Sequence, residues 1–100
     1  MIRENLFVYG TLREPRVQFM VLGRMVQGKW DSLADYQKST IQLGGRTFPI
    51  IKPQAGDAVE GMVIAVTPAE LQQIDQYEGH AYRRRKVTLA SGRQAWVYQA

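Results

Sequence analysis

Glu78 is a candidate for acid–base chemistry because the sequence places its carboxylate on the apolar side of a helix. Leu71 and Ile74 mark the apolar stripe of that helix, and Glu78 follows them by seven and four positions. Burial and the negative end of the helix dipole would both raise the pKa of this carboxyl. A glutamate with a raised pKa suits a general base that works near neutral pH.

Two alternatives to this role of Glu78 lie just after it in the chain. Glu78 could form a structural ion pair with one of three arginines, Arg83, Arg84 or Arg85. His80 could carry the proton instead, since histidine titrates near neutrality, although its position directly after a glycine predicts a solvated loop.

A second candidate site lies where the first apolar run, residues 6–9, breaks into Gly10 and Thr11. The run has the length and composition of a buried strand, and Gly10 permits backbone angles that a Cβ would forbid. Such a loop can direct several backbone N–H groups at one anion, for example a carboxylate, with the Thr11 hydroxyl beside them. The alternative interpretation is a turn that only ends the strand.

The elements that must position these residues are short strands and two helices. We predict strands at residues 6–9, two within 26–43 with the second starting near residue 33, then 48–51, 58–66, 82–89 and 95–98, with turns at 44–45 and 91–92 and a loop at 52–57. Arg83 and Arg85 share strand parity with Val87 and Leu89, so we expect them to point inward and line the mouth of a cavity.

Helix boundaries are marked by capping residues. Pro15 and Gly23 bound a first short helix, whose apolar positions Val17, Met20 and Val21 we expect in the core. For the second helix, the sequence Thr-Pro-Ala-Glu at residues 67–70 predicts a capping box at the start, and Gly79 after Glu78 predicts a left-handed stop.

Composition limits the classes of function. The length of 100 residues predicts a single domain over residues 1–100, and 45% hydrophobic with 22% charged residues is typical of a soluble globular protein. The absence of cysteine excludes disulfides and thiol chemistry, and a single histidine argues against a metal centre. Acid–base chemistry must therefore come mainly from carboxylates, tyrosines or lysines.

Charge and hydropathy limit location and partners. The net charge of +4 favours acidic partners, either small anionic metabolites or nucleic acid. The longest apolar run, residues 62–66, is far shorter than the roughly 20 residues of a membrane helix, and residues 1–5 do not resemble a signal peptide. We therefore expect a cytoplasmic location and no membrane partner.

Three motifs in order along the chain identify a resemblance. They are Phe-Val-Tyr-Gly-Thr-Leu at residues 7–12, Val-Glu-Gly-Met-Val at 59–63, and Ile-Asp-Gln-Tyr-Glu-Gly at 74–79 followed by Tyr-Arg-Arg at 82–84. Together they resemble the small gamma-glutamylcyclotransferase-like proteins, which include the gamma-glutamylamine cyclotransferases. The resemblance covers nearly the whole chain.

The resemblance implies a fold and a set of site residues. The fold is α+β, a small, mostly antiparallel β-barrel with short helices packed around it, and neither a cofactor nor a metal is implied. Glu78 is implied as the catalytic acid/base, and Tyr82 and Tyr98 are expected to line the pocket, although strand tyrosines commonly serve packing. The loop implied to hold the glutamyl group of a small-molecule substrate consists of Tyr9, Gly10, Thr11 and Leu12.

The implied reaction is an intramolecular cyclisation. The α-amino group of a γ-glutamyl amine or peptide attacks its own γ-carbonyl, which forms 5-oxoproline and releases an amine. The first alternative is a non-catalytic domain of the same fold that binds a small metabolite. Nucleic-acid binding through the basic residues 83–86 is disfavoured because this short cluster has no interleaved aromatic residues. The leaving group and the oligomeric state stay open.

Overall fold

The computed structural model describes residues 2–100 and contains five strands and two α-helices within that range. A 3-10 turn, Thr11–Arg13, connects the first strand to the first helix. In chain order the elements are β1 (Glu4–Val8), α1 (Pro15–Leu22), β2 (Lys29–Leu43), β3 (Arg46–Val66), α2 (Pro68–Glu78), β4 (Arg83–Thr88) and β5 (Gln94–Gln99).

The strands form one curled sheet in the order β2-β3-β1-β5-β4. Neighbours pair antiparallel except β1 and β5, which pair in parallel. The two edges of the sheet meet because the Ala90 N–H donates to the Ser32 carbonyl (2.9 Å) and Ser91 donates to the Asp31 carboxylate. The result is a mixed half-barrel with two helices, which confirms the predicted fold class.

The strand β1 lies at the centre of the sheet and is buried on both faces. Phe7 joins a core cluster on one face with Val59 and Val97, whereas Leu6 and Val8 join a second cluster with the α2 residues Leu71 and Ile74. Alternate side chains of a strand point to opposite faces, so a sheet covered on both sides requires an unbroken apolar run. This explains the composition of residues 6–8.

Gly61 interrupts the apolar run of β3 because β1 comes too close for a side chain. A Cβ at this position would lie 2.6 Å from the Val8 carbonyl oxygen and 2.7 Å from the ring of Phe7. Contact at such distances is repulsive, so the approach of β3 to the end of β1 requires a glycine here.

The long β2–β3 hairpin differs from the prediction. Residues 26–43 hold one strand, β2, with a bulge at Asp35 (φ 64°), and residues 52–57 continue β3 where a loop was expected. The prediction failed because Pro53 and Gly56 usually end strands. In this region β3 pairs only with β2, so the open side of β3 accommodates prolines, which lack an N–H.

The capping box of α2 is confirmed. The Thr67 hydroxyl accepts from the Glu70 N–H (3.1 Å), and the Glu70 carboxylate accepts from the Thr67 N–H (2.9 Å). Gly79 ends the helix with a positive φ of 76°, but its ψ of −168° is not left-handed helical, so the predicted left-handed stop is wrong in that detail. The Gly79 N–H still satisfies the Asp75 carbonyl.

Helix α1 ends at Gly23 as predicted, and the backbone there is left-handed, but the buried face of the helix differs from the expectation. Met20 is 73% exposed, whereas Gln18 is buried. The Gln18 amide donates to the Leu12 carbonyl, which precedes the helix, and accepts from the Val26 N–H, which follows it. The side chain therefore connects the segments on both sides of the helix. A polar residue can occupy this core position because both of its hydrogen-bonding groups are satisfied. Across residues 2–100, neither helix is long and apolar enough to cross a membrane.

Candidate active site

A cavity of about 520 Å³ lies where the end of β1 meets the β2–β3 hairpin and the end of α2. Its volume is within the range typical of small-molecule sites. All seven residues that the sequence marked as site residues border it. The lining residues are Phe7, Val8, Tyr9, Gly10, Thr11, Leu12, Arg46, Thr47, Phe48, Pro49, Tyr77, Glu78, Tyr82 and Tyr98.

Glu78 is the last residue of α2, and it is held half-buried by the geometry of that helix. Leu71 and Ile74 are buried on the same side, as their spacing predicted. Burial raises the pKa of Glu78 to about 7, because removal of water penalises the charged carboxylate. Near neutral pH such a group can both accept and donate a proton.

The alternative in which Glu78 pairs with a downstream arginine is wrong. Arg84 instead binds Asp75 in a bidentate ion pair, with Nε–Oδ1 at 2.6 Å and Nη2–Oδ2 at 2.9 Å. Within residues 2–100 no ion pair includes Glu78. The carboxylate is therefore left without a positive partner that would lower its pKa.

Arg83 and Arg85 do not point into the cavity, which corrects the expectation from strand parity. Both side chains are exposed, and neither borders the cavity. Their strand, β4, lies at the edge of the sheet. Its residue Val87 packs against the core and Leu89, just after the strand, is buried, whereas the two arginines are exposed. His80 is also exposed and lies in a separate cleft.

Three tyrosines of the cavity donate their hydroxyl hydrogens to the protein. The Tyr9 hydroxyl donates to the Tyr98 carbonyl (2.7 Å), the Tyr82 hydroxyl to the Pro49 carbonyl (2.5 Å), and the Tyr98 hydroxyl to Asp75 Oδ1 (2.5 Å). Burial raises the pKa of all three phenols. They therefore stay neutral near pH 7 and position the walls of the cavity.

The loop at residues 9–12 leaves backbone donors beside the cavity. The N–H groups of Arg13 and Glu14 close the 3-10 turn onto the carbonyls of Gly10 and Thr11. The N–H groups of Gly10 and Thr11 themselves donate to no acceptor in the described part of the chain. Such free donors at the start of a helical turn suit an anion or a developing oxyanion.

Gly10 serves this loop in a way that differs from the expectation. Its φ is −123°, so it does not use the left-handed backbone that only glycine adopts easily. A Cβ added there would lie 3.8 Å from Pro49 Cγ, in ordinary contact with the opposite wall of the cavity. The absence of a side chain at position 10 therefore keeps this part of the cavity open.

Sequence reasoning missed the hairpin wall and Tyr77. Residues 46–49 border the cavity from β3, and the Tyr77 hydroxyl lies 3.0 Å from Thr11 Oγ1, within hydrogen-bond distance. The turn at Gly44-Gly45 indicated that the chain reverses there, but no local pattern indicated that the hairpin reaches the loop at 9–12. Within residues 2–100, no group of three or more His, Cys, Asp or Glu side chains is placed to hold a metal ion.

Comparison with known proteins gives consistent matches. A family model described as gamma-glutamyl cyclotransferase, AIG2-like, matches residues 6–100. AIG2-like protein C of Arabidopsis thaliana is 34% identical over 86 residues, which are 85% of this chain and 49% of that protein. The chain spans about half the length of the curated relatives it matches.

Solved structures share the fold. A solution structure of an Arabidopsis thaliana protein superposes with a TM-score of 0.83 at 30% identity, covering 99% of this chain and 69% of that one. A structure titled gamma-glutamyl cyclotransferase superposes with a TM-score of 0.74 at 17% identity, covering 98% of this chain and 66% of that one. At that identity the second likeness concerns the fold alone.

Proposed function

Because the chain belongs to the gamma-glutamyl cyclotransferase, AIG2-like family, we propose that its cavity cyclises γ-glutamyl compounds to 5-oxoproline. The observation that carries this proposal is the state of Glu78. Its carboxyl is half-buried, has no ion-pair partner within residues 2–100 and has a pKa raised by burial to about 7. It borders the same cavity as the donor loop at residues 9–12.

In the proposed reaction, the loop binds the glutamyl part of the substrate and Glu78 moves the protons. The ionised Glu78 takes a proton from the substrate's α-ammonium group, and the resulting amine attacks the γ-carbonyl carbon. The C–N bond to the leaving amine then breaks, and Glu78 returns the proton to the departing nitrogen. The ionised Glu78 then takes the second proton from the new ring nitrogen, which makes the lactam neutral, and passes it to the amine. Glu78 is ionised again, and 5-oxoproline and the amine in its ammonium form leave the cavity.

The groups that this reaction requires from the protein are those that border the cavity. Nucleophile and electrophile belong to one molecule, so holding the substrate folded supplies much of the rate acceleration. The unpaired N–H groups of Gly10 and Thr11 are suited to stabilise the negative charge that develops on the γ-carbonyl oxygen. Proton transfer by Glu78 is the step that requires a titrating side chain.

The test is release of 5-oxoproline from a panel of γ-glutamyl dipeptides and γ-glutamyl amines. We expect turnover of at least one compound by the wild type and a loss of about 10²–10⁴-fold in Glu78→Gln, which keeps the size but not the proton transfer. Glu60→Gln is the matched control, because Glu60 is exposed on β3 outside the cavity. Circular dichroism verifies that each variant is folded.

Two results would contradict the proposal. One is full activity in Glu78→Gln, which would remove Glu78 from the chemistry. The other is no turnover of any panel compound by the folded wild type, in which case thermal stabilisation by the same compounds would favour a binding domain of the same fold.

A further inference from the structure

Arg46 is a cationic side chain at the mouth of the cavity that the proposed reaction does not use. It is the only Lys or Arg among the described residues that border the cavity, and Glu78 is the only Asp or Glu. Arg46 is exposed, whereas Glu78 is half-buried. The cavity therefore has a positive charge at its outer part and a titrating carboxyl at its inner part.

The position of Arg46 follows from the β2–β3 hairpin. Pro49 is held beside the loop at residues 9–12, because its carbonyl accepts from the Tyr82 hydroxyl and its Cγ lies near Gly10. Arg46 precedes Pro49 by three residues toward the hairpin turn, which is about 10 Å along a strand. It shares strand parity with Phe48, another residue of the cavity wall.

The guanidinium of Arg46 is free to bind a ligand. In residues 2–100 the ion pairs use Arg24, Arg84 and Lys86, and none uses Arg46. Arg46 also does not compensate Glu78, since burial is the cause of the raised pKa of that carboxyl and no cation offsets it. Arg46 and Glu78 therefore contact different parts of a ligand bound in the cavity.

We propose that Arg46 is a specificity-determining residue that binds an anionic group on the leaving amine, so that this chain prefers γ-glutamyl compounds with a negatively charged leaving group. The proposal rests on the proposed function, in which the glutamyl part occupies the inner loop and the leaving group extends toward the mouth. A guanidinium can bind a carboxylate through two parallel hydrogen bonds, which gives orientation as well as attraction.

The test compares two substrates that differ in one charge, γ-glutamyl-alanine and γ-glutamyl-alanine amide. We expect the wild type to favour the free carboxylate in kcat/KM by about tenfold, and Arg46→Gln to remove most of that preference while its kcat/KM for the amide stays unchanged. Arg85→Gln is the matched control, because it removes the same charge from an exposed position outside the cavity. It should keep the wild-type preference.

Two outcomes would overturn the role of Arg46. Equal losses on both substrates in Arg46→Gln would place the guanidinium on the glutamyl part instead of the leaving group. No preference for the free carboxylate in the wild type would show that the mouth of the cavity does not distinguish substrates by the charge of the leaving group.

A binding measurement separates this proposal from the proposed reaction. In the Glu78→Gln background, calorimetry of the same two compounds reports charge preference without turnover. A preference for the carboxylate that Arg46→Gln removes would support the role of Arg46 even if the wild type releases no 5-oxoproline, a result that would refute only the reaction. Equal affinities for the two compounds in this background would overturn the role of Arg46.

Discussion

Two glutamates of the same helix, α2, show how partners decide the chemistry of a side chain. Glu70 accepts two hydrogen bonds from Arg24, each 2.7 Å long, and these contacts help to hold its pKa at about 2. Glu78, two turns later, has no such partner within residues 2–100, and burial raises its pKa to about 7. Glu70 is a fixed charge that caps the helix, whereas Glu78 is able to exchange a proton near neutral pH.

The raised pKa of Glu78 makes the stability of the fold depend on pH. Below pH 4.5 the carboxyl is protonated in both the folded and unfolded states. Between pH 4.5 and about 7 the carboxyl is ionised in the unfolded state but still protonated in the folded state. The free energy of unfolding therefore falls as pH rises through this range. We expect Glu78→Gln, which has no such penalty, to be more stable than the wild type by roughly 1–2 kcal/mol above pH 7.5 and equal to it near pH 4.

Thermal melts of both proteins at pH 4 and pH 8 measure this difference. One kcal/mol corresponds to a shift of about 4–8 °C for a chain of this size. Glu60→Gln, on the exposed face of β3, is the matched control variant. A Glu78→Gln effect that is the same at both pH values would contradict the burial of this carboxyl.

At the residue scale, the sequence predicts what depends on local spacing. The stripe of Leu71, Ile74 and Glu78 follows from the repeat of one helix, and the structure places the three as expected. The sequence does not predict that Arg84 binds Asp75 and leaves Glu78 unpaired, because that choice depends on where β4 lies against α2. Ion-pair partners are set by the packing of distant elements.

At the element scale, the approach of β3 to β1 fixes the floor of the cavity. Phe7 and Val8 both border the cavity, and the chain of β3 touches them where Gly61 has no side chain. The sequence predicts both strands from their apolar runs. It does not predict the continuous β2–β3 hairpin, since Pro53 and Gly56 indicate a loop and only the one-sided pairing of β3 makes a strand possible there.

Gly61→Ala is expected to destabilise the fold by about 1–3 kcal/mol, because the added methyl group overlaps the Val8 carbonyl and the Phe7 ring. Gly28→Ala is a useful comparison, since the atom nearest to its Cβ is the flexible end of Met62, at 2.6 Å. Urea unfolding should show the larger loss for Gly61→Ala. Wild-type stability of Gly61→Ala would mean that β1 and β3 are farther apart than the structure has them.

At the scale of the whole molecule, the cavity is assembled from parts of the chain that are distant in sequence. Residues 9–12, 46–49, 77–78 with 82, and 98 meet there because the sheet curls and its two edges join at Asp31 and Ser91. The motifs at residues 7–12, 74–79 and 82–84 include the first and third of these parts, although they assign Tyr77 no role, and Tyr98 lies outside every motif. The second part carries no motif, and its place in the wall follows only from the length and curvature of the hairpin.

We propose that Glu78, whose pKa burial raises to about 7, carries the proton in a cyclisation inside this cavity. The most direct test is the pH profile of kcat/KM for 5-oxoproline release between pH 5 and 9. We predict that activity rises about tenfold per pH unit below an inflection near 7 and then levels, because the ionised carboxyl is the active form.

His80→Ala is the control for this profile, because His80 is the one histidine of the sequence. His80 is exposed and outside the cavity, so the variant should keep both the activity and the inflection. We expect activity to rise through pH 7 in the wild type and in His80→Ala and to be lost in Glu78→Gln, as proton transfer by Glu78 requires. A profile that is flat across this range, or an inflection that persists in Glu78→Gln, would contradict it.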